Sequence, residues 1–202
     1  MIKVGLTGNI ASGKSGVQNI LLLSGYKVFD ADESAHFHLI NSKVILDEFG
    51  TNDRNILAKT VFADKTKLKK LEEIIHPLVR QDIQDFFAVN NSEKAVFASV
   101  PLLFEAGFED LFDKIIFVSA PYNVRLDRLI KRNGYNFDYA KLRLDSQSNE
   151  KSKIPRCDCT IVNDSTFEEL ERSFKHSLTL LSSSSKVESF TIVQSQRGIL
   201  LF

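Results

Sequence analysis

The sequence predicts a three-layer α/β fold built on a five-stranded parallel sheet. Two observations carry this expectation. Short runs rich in β-branched and aromatic residues alternate with helix-length segments, as in right-handed β-α-β crossovers around a buried sheet. The first such run leads directly into Gly8-Asn9-Ile10-Ala11-Ser12-Gly13-Lys14-Ser15. That segment fits G-x-x-x-x-G-K-[ST], the spacing of a phosphate-binding loop set between a strand and a helix.

The elements follow in order. Ile2 to Leu6 reads as the first strand, and Val17 to Gly25 as a helix closed by glycine. Lys27-Val28-Phe29 reads as the second strand, Ala95 to Ala98 as the third, Lys114 to Val118 as the fourth and Cys159 to Val162 as the fifth. Helical spacing joins Leu68, Leu71, Ile74, Ile75 and Leu78, and recurs over Val124 to Lys131, Phe137 to Leu144 and Phe167 to Leu181. Pro77 falls inside the first of these patterns, where a kink or break is expected. The expected organisation is a core from residues 1–32, 91–124 and 148–181, a helical acceptor-binding region 33–90 and a lid 125–147. Ser182 to Ser185 reads as a linker to a tail ending at Phe202, to which the sequence assigns no role.

Composition narrows the class. The 202 residues suffice for one ordinary core with sub-domain insertions. Lys plus Arg and Asp plus Glu both number 26, so no global field draws the chain to nucleic acid or an anionic membrane. No run approaches the ~18 apolar residues of a membrane span, and the N-terminus leads straight into a strand rather than a secretory signal. A cytoplasmic protein, monomeric or weakly self-associating, is expected. Cys157 and Cys159 stand too close for an unstrained disulfide and have no second ligand pair nearby, so two reduced, half-buried thiols are expected.

In a parallel sheet ligands bind beyond the carboxyl ends of the strands, so the polar residues there matter most. Gly8 and Gly13 permit backbone angles that turn successive N–H groups onto phosphate oxygens, and the following helix points its positive end at the same place. Lys14 then reaches the β and γ phosphates, and the Ser15 hydroxyl is placed to ligate Mg²⁺. The loop implies a nucleoside triphosphate site. After the second strand, Asp30-Ala31-Asp32 would put both carboxylates on one side of an extended segment. Asp32 there could orient an acceptor hydroxyl and take its proton, or serve as a helix N-cap. Pro101-Leu102-Leu103-Phe104-Glu105 after the third strand reads either as an apolar pocket wall closed by a carboxylate or as a buried loop. Arg125, Arg128 and Arg132 share a helix face, Asn133-Gly134 ends that helix, and Lys141 and Arg143 follow on the next. Such a hairpin reads as a lid over ATP, or as a solvated face paired with Asp127, Asp138 and Asp145.

Taken together these motifs resemble the dephospho-coenzyme A kinase family, from Ile2 to about Leu181. The family's G-L-T-G-x-I-x-S-G-K-S stands here as Gly5 to Ser15, its D-A-D as Asp30 to Asp32, and its I-x-H-P as Ile74 to Pro77. P-L-L-F-E stands as Pro101 to Glu105, R-L-x-x-R as Arg128 to Arg132, R-x-x-x-Q as Arg143 to Gln147, and D-x-x-I-x-N as Asp158 to Asn163. The resemblance implies ATP-dependent phosphorylation of the ribose 3′-hydroxyl of dephospho-coenzyme A, with Asp32 as the base. It implies a nucleotide site of Gly8, Asn9, Ile10, Ala11, Ser12, Gly13, Lys14, Ser15 and Gly16, with Asn163 near the adenine. It also implies an acceptor pocket of Thr7, His76, Pro77, Arg80, Leu103, Phe104 and Glu105, and lid contacts from Arg132 and Arg143. Three positions depart from the pattern: Gly16 replaces a usual threonine, Arg125 a glutamine and Asn133 an aspartate. A P-loop kinase of another small hydroxyl or nucleotide, and a nucleotide-binding module without transfer activity, are the competing readings. No N-K-x-D or L-S-G-G-Q segment supports a guanine-nucleotide switch or a transporter-type ATPase.

Overall fold

A computed structural model of the chain describes residues 1–62, 64–183, 190–195 and 198–201. They divide into two compact units, Met1–Val28 with Lys94–Phe202, and Phe29–Glu93.

The first unit carries the sheet. Strand β1 (Ile2–Gly8) is followed by α1 (Lys14–Leu23), and β2 (Lys27–Asp30) begins at this unit's boundary. After the second unit come β3 (Ala95–Ser99) and β4 (Lys114–Ser119). A helical hairpin of α6 (Tyr122–Asn133) and α7 (Phe137–Asp145) follows, numbered after the four helices of the second unit. The short α8 (Glu150–Lys153), which the sequence pattern did not foretell, is followed by β5 (Cys159–Val162) and α9 (Phe167–Ser183), which it did. The strand order is β2-β3-β1-β4-β5, extended by β6 (Phe190–Ser195) and β7 (Gly198–Leu201). The five expected strands are thus all present, and the tail adds two more among the described residues. β6 runs parallel to β5 and β7 antiparallel to β6. Of the expected serine linker, Ser182 and Ser183 end α9, and Ser184 and Ser185 lie outside the described residues.

β1 is central because it is apolar on both faces. Parallel neighbours flank it, with Leu6 registered against Ser99 of β3 and Ile116 of β4. Val4, Leu6, Ile116, Val118 and Ile161 share one face by two-residue alternation and pack with Val17, Ile20 and Leu21 of α1 and Leu170 and Phe174 of α9. On the strand's other residues, close packing is decided by Gly5, where an added Cβ would lie 2.8 Å from Leu103 Cδ1 and 3.0 Å from the Phe112 ring. Registry between β4 and β5 has a polar lock: Asp158 accepts from the Ile115 N–H at 2.8 Å and from Lys114 Nζ at 2.8 Å. The sequence quoted Asp158 only as the first letter of a motif; its work is to align two strands.

The second unit is helical. It comprises α2 (Ala31–Asn41), α3 (Lys43–Phe49), α4 (Arg54–Phe62) and α5 (Lys65–Val89). Asp30, Ser42 and Asp64 cap α2, α3 and α5 with side-chain oxygens, satisfying N–H groups that the first helical turn leaves unpaired. Leu71, Ile75, Val79, Ile83 and Phe87 recur every fourth residue of α5 and are buried. The expected break at Pro77 does not occur, and α5 continues through it for 25 residues. Pro77 lies off the buried stripe and is exposed, as is Glu73, whose carbonyl loses its partner to the proline. Water can therefore satisfy that carbonyl while the stripe keeps the helix whole. On α2, Ser34 Oγ donates to Asp82 Oδ2 of α5 at 2.6 Å, and His38 Nε2 lies 2.7 Å from the same oxygen.

Candidate active site

The phosphate loop occupies the β1–α1 turn at the carboxyl edge of the sheet, between the two neighbours of β1 where strand order reverses. Gly13 sits at the N-cap of α1 with φ +96°, and no side chain caps the helix. An anion is the natural complement of such an end. Any Cβ at Gly13 would collide with the Asn163 amide, and one at Gly8 would meet the Val118 carbonyl and, at 2.7 Å, Ser12 Oγ. Gly8 is thus fixed by sterics, and Gly13 by sterics and by backbone angle. Ser12 N donates to the Asn9 carbonyl at 3.1 Å, closing the loop's first turn, and Ser12 Oγ is buried without a hydrogen-bond partner. Lys14 Nζ donates to Ser99 Oγ at the end of β3, and Ser15 is exposed on the first turn of α1. Residues, helix end and backbone therefore fit a bound triphosphate, and Ser15 is exposed where its hydroxyl could hold a metal.

Gly16, also on that turn, leaves room that a side chain would use. An added Cβ would lie 3.4 Å from Leu170 Cδ2 and 3.9 Å from Phe167 Cε2 of α9, ordinary contact distances. Gly16→Ala is expected to raise stability by about 0.5–1 kcal/mol through helix propensity, or a few degrees in melting temperature. Thermal unfolding followed by circular dichroism checks this; a lower melting temperature would contradict it.

The hairpin packs onto the loop from the other side. Leu129, Ala140 and Leu144 form a small core against which Ile10 and Ala11 rest. Gly134, at φ +65°, ends α6, and the Asn136 side chain caps α7. The three arginines of α6 do not form one functional row. Arg125 is only 8% exposed, donates Nε to the Ala120 carbonyl at 3.1 Å and pairs with Glu150 at 3.3 Å. It anchors the hairpin base rather than reaching for phosphate, which corrects its grouping with Arg128 and Arg132 as one lid face or one solvated face. Helical spacing put it in line with its neighbours, but Glu150 and the depth of the β4–α6 corner took it inward. Arg128 reaches the loop, donating to the Ser12 carbonyl at 3.3 Å and to Asn163 Oδ1 at 3.2 Å. Arg132 is exposed and donates to Asn133 Oδ1 at 3.0 Å, and Arg143 is half-buried on α7. Asp127 and Asp145 pair with Lys131 and Lys141.

Asn163, just past β5, donates Nδ2 to the Ser12 carbonyl at 2.8 Å, so it braces the phosphate loop directly. The segment after α7 does likewise. Gln147 Oε1 accepts from Ile10 N at 2.6 Å, and the Ser148 carbonyl accepts from Asn9 Nδ2 at 3.2 Å. A cavity of about 650 Å³ lies alongside, with Asn9, Tyr122, Arg125, Ser148 and Glu150 in its wall.

After β3, Leu103 is fully buried under Gly5, and Phe104 is 9% exposed with the Arg156 guanidinium 4.6 Å above its ring. Thr7 is buried and donates Oγ1 to the Pro101 carbonyl at 3.3 Å. Glu105 lies in a polar cluster, accepting from Ser148 Oγ at 2.6 Å and pairing with Lys153 at 2.7 Å. Partial burial pushes its pKa up, but the hydrogen bonds from Lys153 and Ser148 prevail and hold it below the usual carboxylate range. Neither cysteine is in a disulfide and both are buried, deeper than expected. Burial pushes the Cys157 thiol up to about 12, leaving no thiolate at neutral pH to act as nucleophile.

The remaining candidates belong to the second unit. Asp30, not Asp32, caps α2, its Oδ1 accepting from Asp32 N at 2.9 Å and Glu33 N at 3.3 Å. Asp32 is therefore the second residue of a helix, exposed on its first turn. The extended segment that would have aligned the Asp30 and Asp32 carboxylates is absent, because the cap starts the helix two residues sooner. His76 is half-buried on α5; desolvation lowers its pKa against an opposing pull from Glu72, keeping the ring neutral near pH 7. Pro77 is exposed and Arg80 half-buried one turn on.

A glycine cradle with its lysine and serine, set at the switch point of a parallel sheet and overlain by an arginine-bearing hairpin, defines a P-loop kinase. Shikimate kinase from Acinetobacter baumannii shares this fold, with a TM-score of 0.56 over 92% of this chain and 96% of its own at 14% identity. Within that class the chain belongs to the dephospho-CoA kinase family, whose sequence model matches residues 2–169. The dephospho-CoA kinase of Fusobacterium nucleatum is 38% identical over 178 residues, covering 83% of this chain and 92% of that protein. That of Lactobacillus johnsonii is 37% identical over 84% of this chain and 92% of its own. The solved dephospho-CoA kinase of Campylobacter jejuni superposes with a TM-score of 0.69 at 30% identity, over 89% of this chain and 96% of that one.

Proposed function

We propose that this chain transfers the γ-phosphate of ATP to the ribose 3′-hydroxyl of dephospho-coenzyme A, giving coenzyme A and ADP in the final step of coenzyme A synthesis. Membership of the dephospho-CoA kinase family over residues 2–169 carries the reading. The 3′-oxygen attacks the γ-phosphorus, the bond to the β–γ bridging oxygen breaks, and ADP leaves. The hydroxyl proton passes to the Asp32 carboxylate. Because phosphoryl transfer has a loose transition state, Asp32 contributes more by orienting the hydroxyl than by removing its proton. Lys14 neutralises charge on the β and γ phosphates, and Ser15 would hold the Mg²⁺ that shields them. Arg132 and Arg143 supply positive charge from the hairpin, and Asn163 borders the adenine. Acceptor binding is assigned to Thr7, Leu103, Phe104 and Glu105 of the first unit and to His76, Pro77 and Arg80 of the second. With Leu103 and Phe104 packed in the core, Glu105 and the segment's backbone carry its polar contacts.

The reaction takes place in the cytoplasm, with the chain a monomer or weak homo-oligomer; no helix among the described residues is long and apolar enough to cross a membrane. An ADP-release assay with ATP and Mg²⁺ tests the reading against dephospho-coenzyme A, adenosine, AMP and no acceptor. ADP and coenzyme A formed one to one, with the first acceptor only, is the expected result. Release that ignores the acceptor, or follows another, overturns the assignment of substrate.

A further inference from the structure

We infer that Lys153 is a positioning residue for the phosphate loop, holding the Asn9 side chain in one orientation and through it the loop's first turn. Lys153 is 4% exposed, a depth at which lysine is rare unless paired. Its ammonium donates to Asn9 Oδ1 at 3.0 Å and pairs with Glu105 Oε1 at 2.7 Å. The circuit closes through Ser148, whose carbonyl accepts from Asn9 Nδ2 at 3.2 Å and whose hydroxyl donates to Glu105 Oε1 at 2.6 Å.

Every bond of this ring has a fixed direction. Turning the Asn9 amide over would set its NH₂ against an ammonium and its oxygen against a carbonyl, losing two hydrogen bonds for two repulsions. Asn9 is the residue after Gly8, it is 5% exposed, and its own carbonyl accepts Ser12 N at 3.1 Å. A side chain locked at this point fixes the turn from which the phosphate-binding N–H groups are aimed. The Gln147 bond to Ile10 N, at 2.6 Å, holds the next residue from the same side. Lys153 thus acts on nucleotide binding without touching the nucleotide, in the way buried polar networks specify a single arrangement.

The inference rests on reading Gly8 to Ser15 as the nucleotide site and is independent of the acceptor's identity. Isothermal titration with ADP and Mg²⁺, without acceptor, separates the two. No binding to the unaltered chain would sink the nucleotide-site reading itself. Given binding, Lys153→Met is expected to weaken ADP on the order of tenfold, the scale of one charge-assisted hydrogen bond. Asn9→Ala is expected to weaken it comparably, and Lys153→Met added to Asn9→Ala should change affinity by no more than about twofold, because both remove one linkage. Unaltered ADP affinity in Lys153→Met, or effects that multiply in the double variant, would overturn the proposal. Should Lys153→Met fail to fold, Asn9→Ala decides alone, since it leaves Lys153 paired with Glu105: unchanged affinity there also overturns it.

Discussion

Asp32→Asn is expected to lower turnover by roughly 10²–10⁴, the range for a positioned acid or base, while ATP affinity stays within about threefold of normal. The substitution keeps the side chain's shape but replaces one acceptor oxygen with a donor NH₂, so any loss reports what the carboxylate contributes to orienting the hydroxyl and to taking its proton. The local fold gives an unusually clean background for this experiment. The side chain that caps α2 is Asp30, which accepts from the backbone N–H groups of Asp32 and Glu33, and neither bond involves the Asp32 carboxylate. Asp32 is exposed, so asparagine there buries no new polar group. Melting temperature should therefore fall by no more than a few degrees, the scale of one acidic charge lost from the first turn of α2, while turnover falls far more. Steady-state kinetics with dephospho-coenzyme A, paired with thermal unfolding, checks both halves. Near-normal turnover would refute the role, and a matching fall in stability would transfer the effect to folding.

Lys14→Ala is expected to cost about 10²–10³ in turnover, the scale of losing one preorganised group aimed at developing charge, together with weaker ATP binding. The ammonium lies at the mouth of the glycine cradle and donates to Ser99 Oγ, a fully buried hydroxyl at the end of β3. That bond holds the lysine stem along the sheet edge, so truncation removes a charge whose location is already determined. Lys14→Arg should rescue little. A planar guanidinium is broader than an ammonium and presents its donors in a rigid fork, so it does not place one compact charge between the phosphates. Measuring kcat and the ATP KM separately distinguishes loss of positioning, which lowers kcat, from loss of ground-state binding, which raises KM alone. Unchanged kinetics in Lys14→Ala would remove the loop from the reaction.

Much of the site was legible because its signals are local. A phosphate loop is eight consecutive residues whose angles and donors are set by their own backbone, so Gly8 to Ser15 declared itself without a fold. The five strands were readable for a related reason. A strand buried on both faces must be continuously apolar, and such runs stand out between polar helices. Gly134 and Asn136, which end α6 and begin α7, likewise act on residues within one turn of themselves.

Other features depended on partners far along the chain. Arg125 reads as one of three arginines on a shared helix face, but its pairing with Glu150 draws it inward. Pro77 is expected to kink or break its helix; the break does not occur, and with the buried stripe from Leu71 to Phe87 α5 runs on through it. The tail had no readable role, yet its two strands extend the sheet beyond β5, an outcome set by the open edge they meet.

What the sequence determined by itself was the class of chemistry: a strand, a glycine loop, a lysine, a serine and an ordered series of kinase motifs. Tertiary structure alone decided which polar residues hold that loop in place. Asn163 lies 151 positions from the carbonyl it braces, and Lys153 lies 144 from the asparagine it orients. Short-range backbone geometry is written in adjacent letters; a hydrogen bond across the end of a sheet exists only once the strands have paired and the chain ends between them have been brought together.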